Sequence, residues 1–200
     1  MCLLLETIKL ENGKLVNIEF HNERFNKSRK DLFALSPQNL EDLIEIPKNY
    51  QTGIYRCRVV YGQQLESVEF IQHQPRKINT LQIVEDNSIS YNYKFIDRSD
   101  LQKLYKKRGE ADEIIIIKNG LVTDCFIGNL VFFDGEKWLT PHQPLLQGTQ
   151  RQKLLAAGKI QETKITEKDL PNYSEAGIIN VFYDLSNMPR IKKSKIKYTW

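Results

Sequence analysis

Apolar and polar positions alternate from the start of the chain. LLLETIKLENGKLVNIEFH reads as two strands around Glu11-Asn12-Gly13, and Asn-Gly is a strong hairpin signal. The period then lengthens. Over residues 21–35, Phe25, Leu32 and Phe33 fall on one side of an otherwise polar stretch, which predicts a helix. Ser36 and Pro37 suit the N-cap and first turn of a short second helix over LEDLIEI, stopped before Pro47. From Thr52 three strand-like runs follow: GIYRCRVVYG, LESVEFIQH and INTLQIVED. They predict an antiparallel meander packed on the two helices. Within YRCRVVY, Arg56 and Arg58 share one face, and Tyr55, Cys57 and Val59 the other. These elements make a small α+β domain over residues 1–90.

Residues 91–97 read as a linker or crossing segment. A helix capped by Ser99 runs to about Arg108 and ends at Gly109. EIIIIKNGLVTDC then predicts a hairpin over 113–125 with an Asn119-Gly120 turn. A strand at 129–133, the turn Asp134-Gly135 and a strand at 137–140 come next. After a loop, a helix spans 149–157 with Leu154 and Leu155 inward and Gly158 as its C-cap. A short helix near 166–170, the strand AGIINVFYDL and a basic tail complete a larger, β-rich domain over 91–200. Strands and helices mix without regular βαβ alternation, so the fold class is α+β rather than a parallel-sheet Rossmann arrangement.

Composition narrows the function classes. The chain has 200 residues, 40% hydrophobic and 27% charged, enough for a substantial core in one domain or two small ones. No apolar run approaches the roughly 20 residues of a membrane span. The apolar start, Met-Cys-Leu-Leu-Leu, is ended by Glu6 and Lys9, has no basic n-region, and reads as a first strand rather than a signal peptide. Cys2, Cys57 and Cys125 are odd in number and lack metal-ligand spacing, as expected of reduced thiols in a cytoplasmic protein without a metal site. Cys125 adjoins Asp124, but buried free cysteine is usually packing. The net charge of +4 is spread out apart from YKKRG (residues 105–109) and the tail IKKSKIKYTW, both read as solvated faces. No basic stripe with interleaved aromatics suggests nucleic-acid binding.

Asp124 is the first chemical oddity. A carboxylate at the end of a buried strand costs free energy unless it meets a cation or a donor, so something positively charged or protonatable is expected opposite it. Lys94, set among Tyr91, Tyr93 and Phe95, is the second: apolar surroundings lower an amine's pKa, although for this lysine taken alone a stem lying across the rings with its head in water is the better reading. Four segments, in this order, are HNERFNKS (21–28), YNYKFIDRSDLQKLY (91–105), GLVTDCFIGNLVFF (120–133) and LLQGTQRQKLLAAG (145–158). They resemble motifs of the class IV aminotransferases, the fold-type IV family of pyridoxal 5'-phosphate (PLP) enzymes.

The resemblance implies that Arg24 binds the PLP phosphate and that Lys94 is the Schiff-base lysine and catalytic proton shuttle. It implies that Asp124 faces the pyridine nitrogen, with Asn129 in the same motif. The family more often has glutamate there, so the acid is one methylene shorter, a difference of ~1.5 Å. Gly148, Thr149 and Gln150 fall where the family opens a helix onto the phosphate. Thr149 stands where the family has isoleucine and Gln150 where it has threonine, and either is a candidate donor. Asn180 is a weaker match to a late phosphate-touching segment. The arginine that many relatives use for the substrate carboxylate is replaced by Tyr61-Gly62. Arg56 and Arg58 are the substitutes, against the alternative of a solvated strand face. The short chain, compact first domain and aspartate form resemble the lyase-like members more, which makes 4-amino-4-deoxychorismate lyase the leading reading. Branched-chain or D-amino acid aminotransferase is the runner-up, and a non-catalytic binding relative the third reading. The resemblance further implies a homodimer acting on a small-molecule substrate.

Overall fold

Asn12 and Gly13 both take positive φ, 49° and 76°, as a two-residue hairpin turn requires. In a computed structural model, which describes residues 3–198, they join β1 (Leu4–Glu11) to β2 (Lys14–Leu15). Cys2 lies outside the described residues. Helix α1 (Ile18–Phe33) starts slightly earlier than its apolar spacing suggests and ends at Ala34 in the left-handed region. Helix α2 (Leu40–Leu43) is a single turn. Ser36 and Pro37 precede it in non-helical chain, so they do not cap it. Asn22 of α1 takes that role: its Oδ1 accepts from the Leu40 N–H at 2.8 Å.

Strand β3 (Ile54–Tyr61) pairs antiparallel with the whole of β1, and β4 (Leu65–Gln72) pairs with β3, giving the order β2-β1-β3-β4. One face of this sheet carries Leu4, Ile8, Leu10, Cys57, Val59 and Tyr61, and with Phe25 of α1 and Leu40 of α2 it forms a single core. The first unit comprises the chain up to Pro75 together with Tyr93–Asp97. That short return is bound to the start of β1: the Leu5 N–H donates to the Lys94 carbonyl at 2.9 Å, and the Ile96 N–H to that of Leu3 at 3.0 Å. Tyr93 and Phe95 pack on the same core. Residues 93–97 are thus an edge segment, not a linker, and Lys94 belongs to the first unit rather than to a domain over 91–200.

The second unit holds Arg76–Asn92 and the chain from Arg98 onward. Strand β5 (Leu81–Glu85) opens it, so the expected three-strand meander has two strands and the break falls near 75 rather than 90. The reason is burial. Leu81, Ile83 and Val84 are covered on both strand faces, which suits an interior parallel position rather than a half-exposed antiparallel one. After helix α3 (Ser99–Lys106), β6 (Glu113–Lys118) pairs with β5 in parallel. Asn119 and Gly120, φ 52° and 74°, turn β6 into β7 (Leu121–Val122).

Strands β8 (Asn129–Phe133) and β9 (Trp138–Pro141) follow, then helix α4 (Thr149–Ala156), β10 (Gln161–Thr163) and β11 (Glu175–Ile179). The chain closes with β12 (Arg190–Lys192) and β13 (Ile196–Lys197). Two sheets result, β10-β9-β8-β11-β12 and β13-β5-β6-β7. Ile83, Ile115 and Ile117 from one meet Leu130, Phe132 and Ile178 from the other in a shared core. The basic tail is therefore not simply a solvated run: Ile191 and Ile196 are buried in that core. Mixed sheets with few helices are those of an α+β fold.

Candidate active site

Alternation along β1 points Leu4, Glu6, Ile8 and Leu10 inward. Glu6 is thus a carboxylate fully buried on an apolar face. Helix α1 meets it with two side chains three residues apart, which share one helix face. Arg24 donates to Glu6 from Nε at 2.8 Å and from Nη2 at 2.5 Å, while His21 Nδ1 lies 2.6 Å from Oε2. Burial by itself would raise the Glu6 pKa. The Arg24 charge and the hydrogen bonds from His21 and Arg24 overcome it and hold the carboxyl at about 2. His21 is pushed down by its burial, against the pull of Glu6, with the Arg24 and Lys94 charges adding to the fall. It therefore stays neutral at pH 7, and its Nδ1–H is assigned as donor to Glu6. The sequence reading missed Glu6 and His21 as partners of Arg24. The signal was present: a lone acid on the inward side of an otherwise apolar alternating strand.

In the second unit, Asp124 is 5% exposed, just after the β6–β7 hairpin. Asn129 Nδ2 donates to its Oδ1 at 2.7 Å, and the Leu146 N–H to its Oδ2 at 2.9 Å. The same Asn129 amide donates to the Leu146 carbonyl at 2.9 Å, so one side chain fixes both the acid and the loop entering α4. Gly148, the N-cap of α4, lies against this amide: a Cβ there would fall 1.9 Å from Asn129 Oδ1, so a larger residue would have to displace the amide. Thr149 and Gln150 follow, both buried in the first helical turn. Asp124, Asn129, Gly148, Thr149 and Gln150 are thereby gathered at one end of α4. No ion pair reaches Asp124 among the described residues; the sequence leads to the expectation of a positively charged or protonatable group opposite it, and within the chain neutral donors stand there instead. Burial pushes its pKa up to about 7, partly offset by the Leu146 and Asn129 hydrogen bonds and the charge of Arg151.

Arg151, 1% exposed, is a buried cation the sequence reading passed over. It donates to the Pro141 carbonyl at 2.8 Å, Glu162 at 2.6 Å and Gln147 at 2.9 Å, tying α4 to β9 and β10. Arg56 and Arg58 lie on the β3 face opposite the core, and hence opposite Glu6. Arg58 pairs across the sheet with Glu69 at 3.0 Å. The structure does not bring either into the Glu6–Arg24 group. Asn180 forms a tight turn with Tyr183 and donates to the Ile127 carbonyl. Cys57 and Cys125 are core thiols, and burial raises both, Cys57 to about 12.

The sequence model described as "Amino-transferase class IV" matches residues 3–185. An uncharacterised protein of Haemophilus influenzae is 44% identical over 185 residues, covering 91% of this chain and 98% of that protein. Among solved structures, that of a candidate 4-amino-4-deoxychorismate lyase from Haemophilus somnus superposes with a TM-score of 0.87 at 38% identity, over 92% of this chain and 98% of its own. A hypothetical aminotransferase from Mycobacterium tuberculosis, solved in a PLP-bound form, shares the fold with a TM-score of 0.73 at 16% identity, over 98% of this chain and 84% of its own. By the span of the family match and these identities, the chain belongs to the class IV aminotransferases.

Proposed function

We propose that the chain is a PLP-dependent enzyme acting on an amino-bearing carboxylate, and that its reaction is that of a 4-amino-4-deoxychorismate lyase, which releases 4-aminobenzoate and pyruvate. Asp124 carries the cofactor reading. Its buried carboxyl is held by two neutral donors and no ion pair, with its pKa near 7. A ring nitrogen that can share a proton supplies the positive partner this acid lacks. The position of Gly148 fits as well: it admits the Asn129 amide and caps the N-terminal end of α4, where backbone N–H groups hold an anion best. Bound PLP supplies an electron sink for the negative charge that develops at the substrate Cα.

The remaining roles belong to this chain. Asp124 holds the proton on the ring nitrogen. Gly148 with Thr149 or Gln150 binds the phosphate from the helix end. Arg24 binds the phosphate through its guanidinium, and Glu6 with neutral His21 fixes the plane of that fork. Lys94 holds the cofactor through its amine and, once released, takes the Cα proton as general base. The lyase step is favoured by the 38% identity with the Haemophilus somnus protein over nearly all of both chains. Amino transfer is the second reading, favoured by the family as a whole. We also propose a homodimer.

Borohydride treatment of protein loaded with PLP tests the cofactor assignment. A mass increase confined to the Lys94 peptide, absent in Lys94→Ala, is expected. Labelling that persists in the variant overturns the lysine's role. Incubation with aminodeoxychorismate should then yield 4-aminobenzoate. Conversion of the cofactor to its pyridoxamine form by amino acids alone would instead establish amino transfer.

A further inference from the structure

A pocket of the first unit, about 190 Å³, is lined by Phe25, Arg29, Tyr61, Gln63 and Gln64 among others. Its floor is buried and its mouth exposed: Arg29 and Tyr61 are 6% and 1% accessible, whereas Gln38, Gln63, Gln64 and Leu65 lie open. Arg29 lies in the last turns of α1. It donates from Nε and Nη2 to one acceptor, the Ser36 carbonyl, at 3.4 and 3.1 Å, and its guanidinium lies 5.2 Å from the Phe25 ring centroid. No carboxylate pairs with it among the described residues. Most buried arginines have such a partner, because an uncompensated buried cation costs several kcal/mol. The Ser36 contact explains why Arg29 holds the loop after α1. It leaves the Nη1 edge without a hydrogen bond among the described residues.

Beside it, the Tyr61 hydroxyl is also buried with no hydrogen-bond partner. Ser28 is near enough to ease the phenol's ionisation slightly, and its own hydroxyl donates to the Arg24 carbonyl at 3.0 Å. A guanidinium edge and a phenolic O–H, both short of acceptors, thus line one cavity with three amide side chains at its mouth. Phe25, Leu43 and Leu65 supply apolar walls. The volume exceeds that of an inorganic oxyanion and is comparable with the ~150 Å³ apolar cavities that take up a benzene ring.

We infer that this pocket is a binding site for a small organic carboxylate, with Arg29 and Tyr61 holding the carboxylate and Phe25, Leu43 and Leu65 packing its apolar body. The inference does not rest on the PLP reading. Its test is calorimetric titration of the full chain with benzoate, acetate and inorganic phosphate. Saturable benzoate binding is expected, tighter than acetate, with phosphate failing to compete. Arg29→Met should weaken benzoate by about tenfold or more, the loss of a charge-assisted hydrogen bond. Gln64→Glu, at the exposed mouth, should also weaken it by placing a like charge at the entrance, and decides alone if Arg29→Met does not fold. Absence of saturable benzoate binding, or unchanged affinity in the folded variants, overturns the proposal.

Discussion

Three buried carboxyls with shifted pKa values should shape the pH response of this protein, and they pull in opposite directions. Asp124 and Glu113 both have their pKa pushed up to about 7, chiefly by burial. One oxygen of Glu113 accepts from the Ile114 and Phe126 N–H groups, and the other is buried without a partner. Between about pH 4 and 7 the folded state keeps protons that the unfolded chain has released, so stability falls as pH rises through that window, on the order of 3 kcal/mol per group. Glu6, held at about 2, behaves oppositely: its stabilisation is present above about pH 4.5 and is lost as pH falls toward 2. Cofactor-free protein should therefore be more stable to urea at pH 5 than at pH 7.5. Asp124→Asn and Glu113→Gln should each flatten that difference; an unchanged slope in both would show that other groups control it. Glu6→Gln at pH 7 should cost about 3–5 kcal/mol in urea unfolding, because the Arg24 charge is left without its anion. The sequence displayed the residue types at these positions, and the lone acid in LLLETIKL was a readable sign. Which donors would meet Asp124 was not readable, because Leu146 reaches it across 22 positions of chain through its backbone, which every residue has.

At the scale of elements, the hairpins were the most legible parts, since Asn-Gly at 12–13 and 119–120 encodes a local backbone geometry. Helix α2 was less so, because its first N–H is met by Asn22 from 18 positions upstream. Asn22→Ala should cost about 1 kcal/mol of stability, the usual price of a lost cap, measurable as a shift in the urea midpoint. Gly148 shows the same dependence on distant partners. Its φ of −72° suits any residue, so its sequence neighbours give no reason for glycine; the reason is the Asn129 amide. Gly148→Ala should displace that amide, cost about 1–3 kcal/mol of stability, and weaken PLP uptake, read by titrating the cofactor's fluorescence. Retention of full affinity would separate the Asn129–Gly148 contact from the proposed phosphate site.

For the whole molecule, the division into a smaller first and larger second unit was visible in the change of pattern along the chain, but its boundary was not. LQIVE reads as one more strand after GIYRCRVVYG and LESVEFIQH, and only its parallel partner, Glu113–Lys118, assigns it to the second unit. Lys94 was recognisable by its motif, yet its neighbourhood depends on the Leu3 and Leu5 backbone nearly ninety positions earlier. The chain passes between units at 75/76, 92/93 and 97/98. Neither unit is therefore a continuous stretch of sequence, and this limits how such a protein can be reshuffled. Replacing residues 1–75 by those of a relative would import a foreign Glu6, His21 and Arg24 while leaving the native 93–97 segment to dock on a borrowed β1. Single-crossover chimeras should survive only where Leu3 to Leu5 and Tyr93 to Phe95 come from compatible parents. In inheritance, the lysine segment travels with one half of the chain and its structural support with the other.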